Sequence, residues 1–171
     1  DNGTPYIPAT SLVGVLRHKF YNEVILSEME REQAEYFWGS AKKSYDDSDS
    51  FQSSLYVSDL MPIDKINIQI RDGVEIDDKT GIAKDEQKFD YEIVEPGAVF
   101  RLKAEVLLRE TFYSNVFLKI ITYIIKNLNQ GDVRIGAMTT KGFGCCKLID
   151  YKVYHQNYSD KRDVLSWLSR E

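Results

Sequence analysis

The sequence predicts an α+β domain in which an antiparallel sheet carries helices on one face, in the order βαββαβ with its first strand absent. Three observations predict it. An apolar stripe at helical spacing opens the chain. Strict alternation runs through "AVFRLKAEVLL", and the strongest amphipathic stretch, "SNVFLKIITYIIKNL", comes soon after it. Apolar residues at every second place share one face of a strand, and those three or four apart share one face of a helix.

"DNGTPYIPAT" holds one glycine and two prolines, so it reads as extended or turning. Thr10 or Ser11 can cap a helix through "LVGVLRHKFYNEVI", where Leu12, Val15, Leu16, Phe20 and Val24 recur at helical spacing. A second, acidic helix is expected from Ser27 to about Trp38, with Gly39 ending it. "AKKSYDDSDSF" reads as a polar loop. "QSSLYVSDLM" reads as a strand stopped by Pro62.

Residues 63–96 are expected to form an insertion, mostly irregular, with short β-like pieces at "INIQI" and "FDYEIV" and turns at Gly73 and Gly81. Loops of such length are usually functional or mobile. In the alternating strand, Phe100, Leu102, Ala104, Val106 and Leu108 share one face, and Arg101, Lys103 and Glu105 share the other. In the helix from Ser114 to Leu128, Val116, Phe117, Ile120, Ile121, Ile124 and Leu128 form the apolar stripe, and Asn129, Gln130 and Gly131 end it. A glycine-rich loop, "RIGAMTTKGFG", follows. "CCKLIDYKVYH" then reads as a strand and "DKRDVLSWLSR" as a short helix. Most open sheets begin with a strand, so one is expected ahead of Asp1. With it the order is that of the ferredoxin-like (RNA-recognition-motif-like) split βαβ domain. Residues 1–171 then form a single domain, incomplete at its N-terminus.

The totals narrow the function classes. The 171 residues are 43% hydrophobic and 29% charged, enough for a core and unlike a disordered chain. Adjacent Cys145 and Cys146 point to opposite faces of a strand and are poorly placed to bridge each other. No run of ~18 apolar residues exists to span a membrane, and no signal-peptide layout is present. A cytoplasmic protein without a membrane partner is expected. The net charge of -5 argues mildly against nucleic acid. The acid collects, however, in Glu23 to Glu35, in "YDDSDS" and in Asp72 to Glu95, which leaves Arg17-His18-Lys19 and the last third neutral or basic.

Two segments have the composition of anion sites. In "RIGAMTTKGFG", glycines permit close backbone approach, consecutive N–H groups can cradle an anion, and Thr139, Thr140 and Lys141 add donors. A Walker A loop needs G-x-x-x-x-G-K-[ST] between a strand and a helix, and this loop precedes a strand. On the residues alone, a plain helix-to-strand connection is the favoured reading. In "PYIPATSLVGVLR" a helix start could face a phosphate, but on the residues alone an ordinary Ser/Thr cap is the favoured reading. His18 and His155 are the only histidines and have no ligands at recurring spacing, so neither a metal nor a cofactor is expected. His18 could act as an acid–base group, or simply lie on a helix surface. The pair Asp77-Asp78 reads as solvation.

Four segments, in order, resemble the RAMP superfamily of CRISPR-associated proteins. "GTPYIPATSLVGVLR" resembles its G-x-P-x-I-P-G-S-S-L-K-G-x-L-R. "FWGSAKKSYDDSDSFQSSLYVSD" resembles its F-G-S and following strand. "IRDGVEIDDKTGIAKDEQKFDYEIVEPGAVF" is similar to the R-D-G-V-x-I-D-x-x-T-G of type III backbone subunits, and "IGAMTTKGFGCCKL" resembles the G-G-x-x-x-[RK]-G-x-G loop. The resemblance spans residues 3 to about 150. It implies an RNA-binding subunit of a type III effector complex, with guide RNA, other effector subunits and possibly target RNA as partners. It implies RNA contacts at Ser11, Leu12, Gly14 and Arg17, and at Gly136, Thr139, Thr140, Lys141, Gly142 and Gly144. Arg134 adds a phosphate contact, and Phe143 and Tyr6 are candidate base-stacking rings. The excursion from Ile70 to Pro96 would reach between bases or onto a neighbouring subunit. Ala9, Val13 and Ala137 stand where the family has glycine, lysine and glycine. No catalytic residue is assigned, Asp1 included. The alternatives are a RAMP endoribonuclease acting on guide-precursor or target RNA, and a scaffold subunit without RNA contact.

Overall fold

The computed structural model describes residues 3–40, 52–76, 79, 83–108, 114–157 and 160–169. The strand expected ahead of Asp1, the body of the polar loop at 41–51, the Gly81 turn and Asp77-Asp78 lie outside the described residues.

Helix α1 spans Ala9–Glu23 and buries Leu12, Leu16 and Phe20, the stripe read from the sequence. Its capping differs from expectation. Pro8 is the N-cap, and neither Thr10 nor Ser11 caps with its side chain. The Asp59 carboxylate, from 50 residues away, accepts the Ala9 N–H at 2.8 Å. Proline suits this place because its ring fixes φ and it has no N–H to satisfy. Helix α2, Glu28–Trp38, begins with a capping box in which Ser27 and Glu30 each accept the other's backbone N–H, and ends at Gly39 with φ 82.

Helix α3, Ser114–Gln130, is the central element. It meets α2 through Phe37 and Phe117, edge to face at 5.1 Å, and through a Lys119–Glu30 ion pair of 3.0 Å. It meets α1 through Phe20 and Tyr123 at 5.3 Å, and the Tyr123 hydroxyl donates to Glu23 at 2.6 Å. Phe20, Phe37, Phe117, Ile120 and Val133 have their side chains fully buried, which places the core between the three helices and the strands. A short helix α4, Lys161–Leu168, closes the described chain.

The strands form antiparallel pairs, and the fold is α+β as the sequence predicts. The pairs do not join into one continuous sheet among the described residues. The strand read at 52–61 is broken at Ser58–Asp59 into β1, Leu55–Val57, and β2, Met61–Pro62. The break frees Asp59 to cap α1. Pro62 is the last residue of β2, and it pairs with Phe100 instead of lying beyond the strand. The alternating strand is likewise split into β5, Phe100–Arg101, and β6, Ala104–Val106, pairing with β2 and β1 respectively. Phe100, Leu102 and Val106 pack on the core as predicted, whereas Ala104 and Leu108 are exposed.

The insertion is more regular than expected. Ile68–Ile76 (β3) and Ala83–Val94 (β4) form one long antiparallel hairpin, with Arg71 opposite Tyr91 and Gly73 opposite Phe89. The last pair, β7 (Val133–Arg134) with β8 (Cys145–Cys146), brackets the glycine-rich loop. The strand expected through "CCKLIDYKVYH" stops after Cys146, and Ile149, Tyr151 and Val153 are exposed. Their alternation is real, but no partner strand lies beside them among the described residues, and an unpaired strand does not persist in water.

Candidate functional site

The glycine-rich loop is a tight, built structure. It leaves β7, whose Val133 is fully buried and packs the loop's stem against α1. Gly136, Met138, Gly142 and Gly144 all have positive φ, at 97, 56, 92 and 74°. Between them Thr139–Lys141 make one 3-10 turn, closed by Lys141 N–H to Met138 O at 2.8 Å and Gly142 N–H to Thr139 O at 3.2 Å. Arg134 braces the turn by donating from Nη1 to Thr139 O at 3.2 Å. At the loop's exit, Ile135 N–H donates to Gly144 O at 2.9 Å, and the Cys146 thiol donates to the same oxygen at 3.2 Å. Burial pushes the Cys146 thiol up from its ordinary pKa, with neighbouring Cys145 adding to the shift, so this donor stays protonated.

Four glycine-like conformations in nine residues turn the backbone on itself. The N–H groups of Gly136, Ala137, Thr139 and Thr140 have no acceptor among the described residues. Consecutive unpaired N–H groups beside left-handed residues are a backbone arrangement that can take an anion. Met138 is the one described non-glycine residue with positive φ, a strain of order 1–3 kcal/mol that proteins retain mainly at binding sites. Ala137, which stands where the family has glycine, does not have a positive φ. Alanine therefore carries no conformational cost there.

Lys141 is exposed and makes no ion pair among the described residues. A third cation arrives from a direction the sequence did not signal. Arg71, on β3, lies 5.7 Å from the centroid of the Phe143 ring. Its cross-strand partner Tyr91 meets Phe143 edge to face at 5.9 Å. The insertion thus docks on the glycine loop, with Phe143 as the contact. Phe143, expected as a base-stacking ring, is half-buried and already has a guanidinium and a tyrosine against it. Phe89, next along the same hairpin face, is 42% exposed, and Tyr6 is 51% exposed.

The N-terminal segment offers less than the sequence suggested. Asp59 takes the Ala9 N–H, and Pro8 O accepts from Ser11 at 3.0 Å and Leu12 at 3.3 Å. Asp59 also sets a negative charge against the positive end of the α1 dipole. Leu12 is a core residue with 2% exposure, so its side chain cannot touch a ligand. Ser11 is exposed. So is Gly14, where an added Cβ would meet nothing within 4 Å, leaving room for close approach to the backbone. Arg17 is half-buried 6.0 Å from the Tyr21 ring, which Arg31 of α2 also approaches at 5.8 Å. Exposed His18 shares a hydrogen bond with Asn22 at 3.2 Å, one turn away. Among the described residues no three His, Cys, Asp or Glu side chains cluster to hold a metal, and no helix is long and apolar enough to cross a membrane.

A family model described as the RAMP superfamily matches residues 1–147. The chain belongs to the RAMP superfamily. RAMP domains have ferredoxin-like folds, and RAMP proteins work in CRISPR-Cas complexes with RNA and other subunits, so membership carries a CRISPR-associated, RNA-binding role. No curated protein matches the sequence. The matched residues of this RAMP domain include α1, the hairpin and the whole glycine loop, while α4 lies beyond them.

Proposed function

We propose that this chain is a subunit of a type III CRISPR-Cas effector complex that holds guide RNA by its phosphate backbone at the glycine loop. The observation that carries the reading is the loop itself: four backbone N–H groups without acceptors, next to unpaired Lys141 and to Arg134. A phosphodiester satisfies such a site with no base-specific group, as suits a subunit that must hold any guide. RAMP membership supplies RNA as the ligand class, and the resemblance of "IRDGVEIDDKTG" to type III backbone subunits supports the subtype. Gly14 and Arg17 on α1 extend the contact, with Ser11 contributing its hydroxyl. The partners are guide RNA, neighbouring effector subunits and, across the guide, target RNA.

The test is RNA affinity of the purified chain across a salt series, with Lys141→Glu beside the native protein. Native affinity should fall steeply with salt, since each neutralised phosphate adds about 0.7 to the log–log slope for a single strand. Lys141→Glu should lower low-salt affinity at least tenfold, about 1.4 kcal/mol. Equal affinities for the two proteins at every salt concentration would remove the loop from the RNA site.

A further inference from the structure

The register of the hairpin sets a third cation, after Lys141 and Arg134, beside the glycine loop. Gln69, Arg71 and Gly73 on β3, with Phe89, Tyr91 and Ile93 on β4, lie on one face, because Arg71 pairs with Tyr91 and Gly73 with Phe89. Asp72, Asp90 and Glu92, the acids nearest Arg71 in the ladder, belong to the opposite face. Arg71 is therefore screened by its own strands from the nearest carboxylates in sequence. Its only side-chain hydrogen bond among the described residues is from Nε to Gln69 Oε1 at 3.3 Å, which leaves both terminal nitrogens of the guanidinium open. It makes no ion pair among the described residues. It sits 5.7 Å from Phe143, between Lys141 and Gly144 in the chain.

An unpaired arginine is flexible and well hydrated, and holding it still has an entropic cost. Here one ring limits that freedom. Phe143 lies under the guanidinium, and Tyr91, edge-on at 5.9 Å, fixes Phe143 in turn. A guanidinium held beside an aromatic ring by a cation–π contact still has its terminal N–H groups to offer, in the fork geometry that takes two oxygens of one phosphate.

We propose that Arg71 is a phosphate-binding residue of the same RNA groove, and that Phe143 is a positioning residue that holds Arg71 over the glycine loop. This rests on the glycine loop being an RNA site. The RNA backbone then passes between the loop and the hairpin base, gripped by N–H groups and Lys141 from one side and by Arg71 from the other.

The experiment is the salt dependence of affinity for an unstructured poly-uridine RNA, using the full chain and four variants: Arg71→Gln, Phe143→Leu, Phe143→Tyr and Lys141→Gln. Arg71→Gln should reduce the slope of log affinity against log salt by about 0.7, the share of one phosphate contact on a single strand. Phe143→Leu removes no charge, yet it should reduce the slope in the same direction because the guanidinium is no longer held. Phe143→Tyr should restore the native slope. A merely structural Phe143 would lower affinity without changing the slope, and that result overturns the positioning role. An unchanged slope in Arg71→Gln, with a reduced slope in Lys141→Gln, overturns the Arg71 contact and leaves the loop site standing. A native chain without salt-dependent RNA binding removes both. Circular dichroism of each variant checks folding, and the Phe143→Tyr comparison keeps the test decisive if Phe143→Leu is unstable.

Discussion

Gly144→Ala isolates what the glycine loop requires of its backbone, because Gly142 provides a matched control nearby. Both glycines are left-handed, with φ 74 and 92°. Alanine in that region costs roughly 1–2 kcal/mol at either position. Their surroundings differ. A Cβ on Gly142 would meet nothing within 4 Å, whereas one on Gly144 would run into the Ile135 carbonyl oxygen, with Ile135 C at 2.9 Å and N at 3.0 Å. Those are backbone atoms of the facing strand end and cannot swing aside. The pair must separate, which breaks the 2.9 Å bond from Ile135 N–H to Gly144 O, a net loss of about 1 kcal/mol. Gly142→Ala should therefore lose about 1–2 kcal/mol of stability, and Gly144→Ala at least about 1 kcal/mol more. Urea unfolding of both variants and the native chain measures this, with the m-value checking that the transition stays two-state. Gly144→Ala should also lose more RNA affinity, since the strand ends anchor the turn that displays the N–H groups. Equal stability losses for the two variants would refute the reasoning, because strain alone would then account for both.

Two further outcomes follow from caps and charges. Ser27 backbone N–H, Lys119 and the Ser27 hydroxyl all bond the Glu30 carboxylate and hold its pKa at about 2, below the usual 4.5. A depressed carboxylate stabilises the fold above its unfolded value, so this contribution should be intact above about pH 4.5 and fade as the pH falls towards 2. A carboxyl-carbon NMR titration of Glu30 should place its midpoint near 2, and a midpoint near 4.5 would mean that the three donors do not hold it. Asp59→Ala should cost about 1 kcal/mol through the lost α1 cap, whereas Asp59→Asn, which keeps an acceptor oxygen, should cost less; thermal melts of the two variants decide, and equal losses would assign the effect to charge alone.

The helices were legible because their apolar residues recur at helical spacing and each buries that stripe: Leu12, Leu16 and Phe20 in α1, and Val116, Phe117 and Ile120 in α3. The acidic stretch from Ser27 to Trp38 was legible as a helix ended by Gly39, whereas the Ser27–Glu30 capping box that starts it emerged only from the structure. The hairpin was less legible, since its alternation serves no core: Ile68 and Ile70 are exposed, and the charged residues around them read as loop. Strand breaks at Ser58–Asp59 and after Arg101 depend on tertiary needs, among them the carboxylate that α1 takes from Asp59. The composition of the glycine loop was visible, and so was its place after α3. The approach of Arg71 and Tyr91 to Phe143 was not. Those residues are brought together by strand register and hairpin docking, which no local pattern encodes. The same limit applies to Leu12, which lies in a motif that resembles an RNA contact yet faces the core.

The central claim is that backbone N–H groups of the glycine loop hold an RNA phosphate chain. Backbone amide NMR shifts of the ¹⁵N-labelled chain, followed during titration with poly-uridine RNA, test it most directly. The amides of Gly136, Ala137, Thr139 and Thr140 should move first and furthest, with the Lys141 and Gly142 amides close behind, and added salt should reverse the change. Loop amides that stay in place while another surface responds would contradict the account, whatever the affinity.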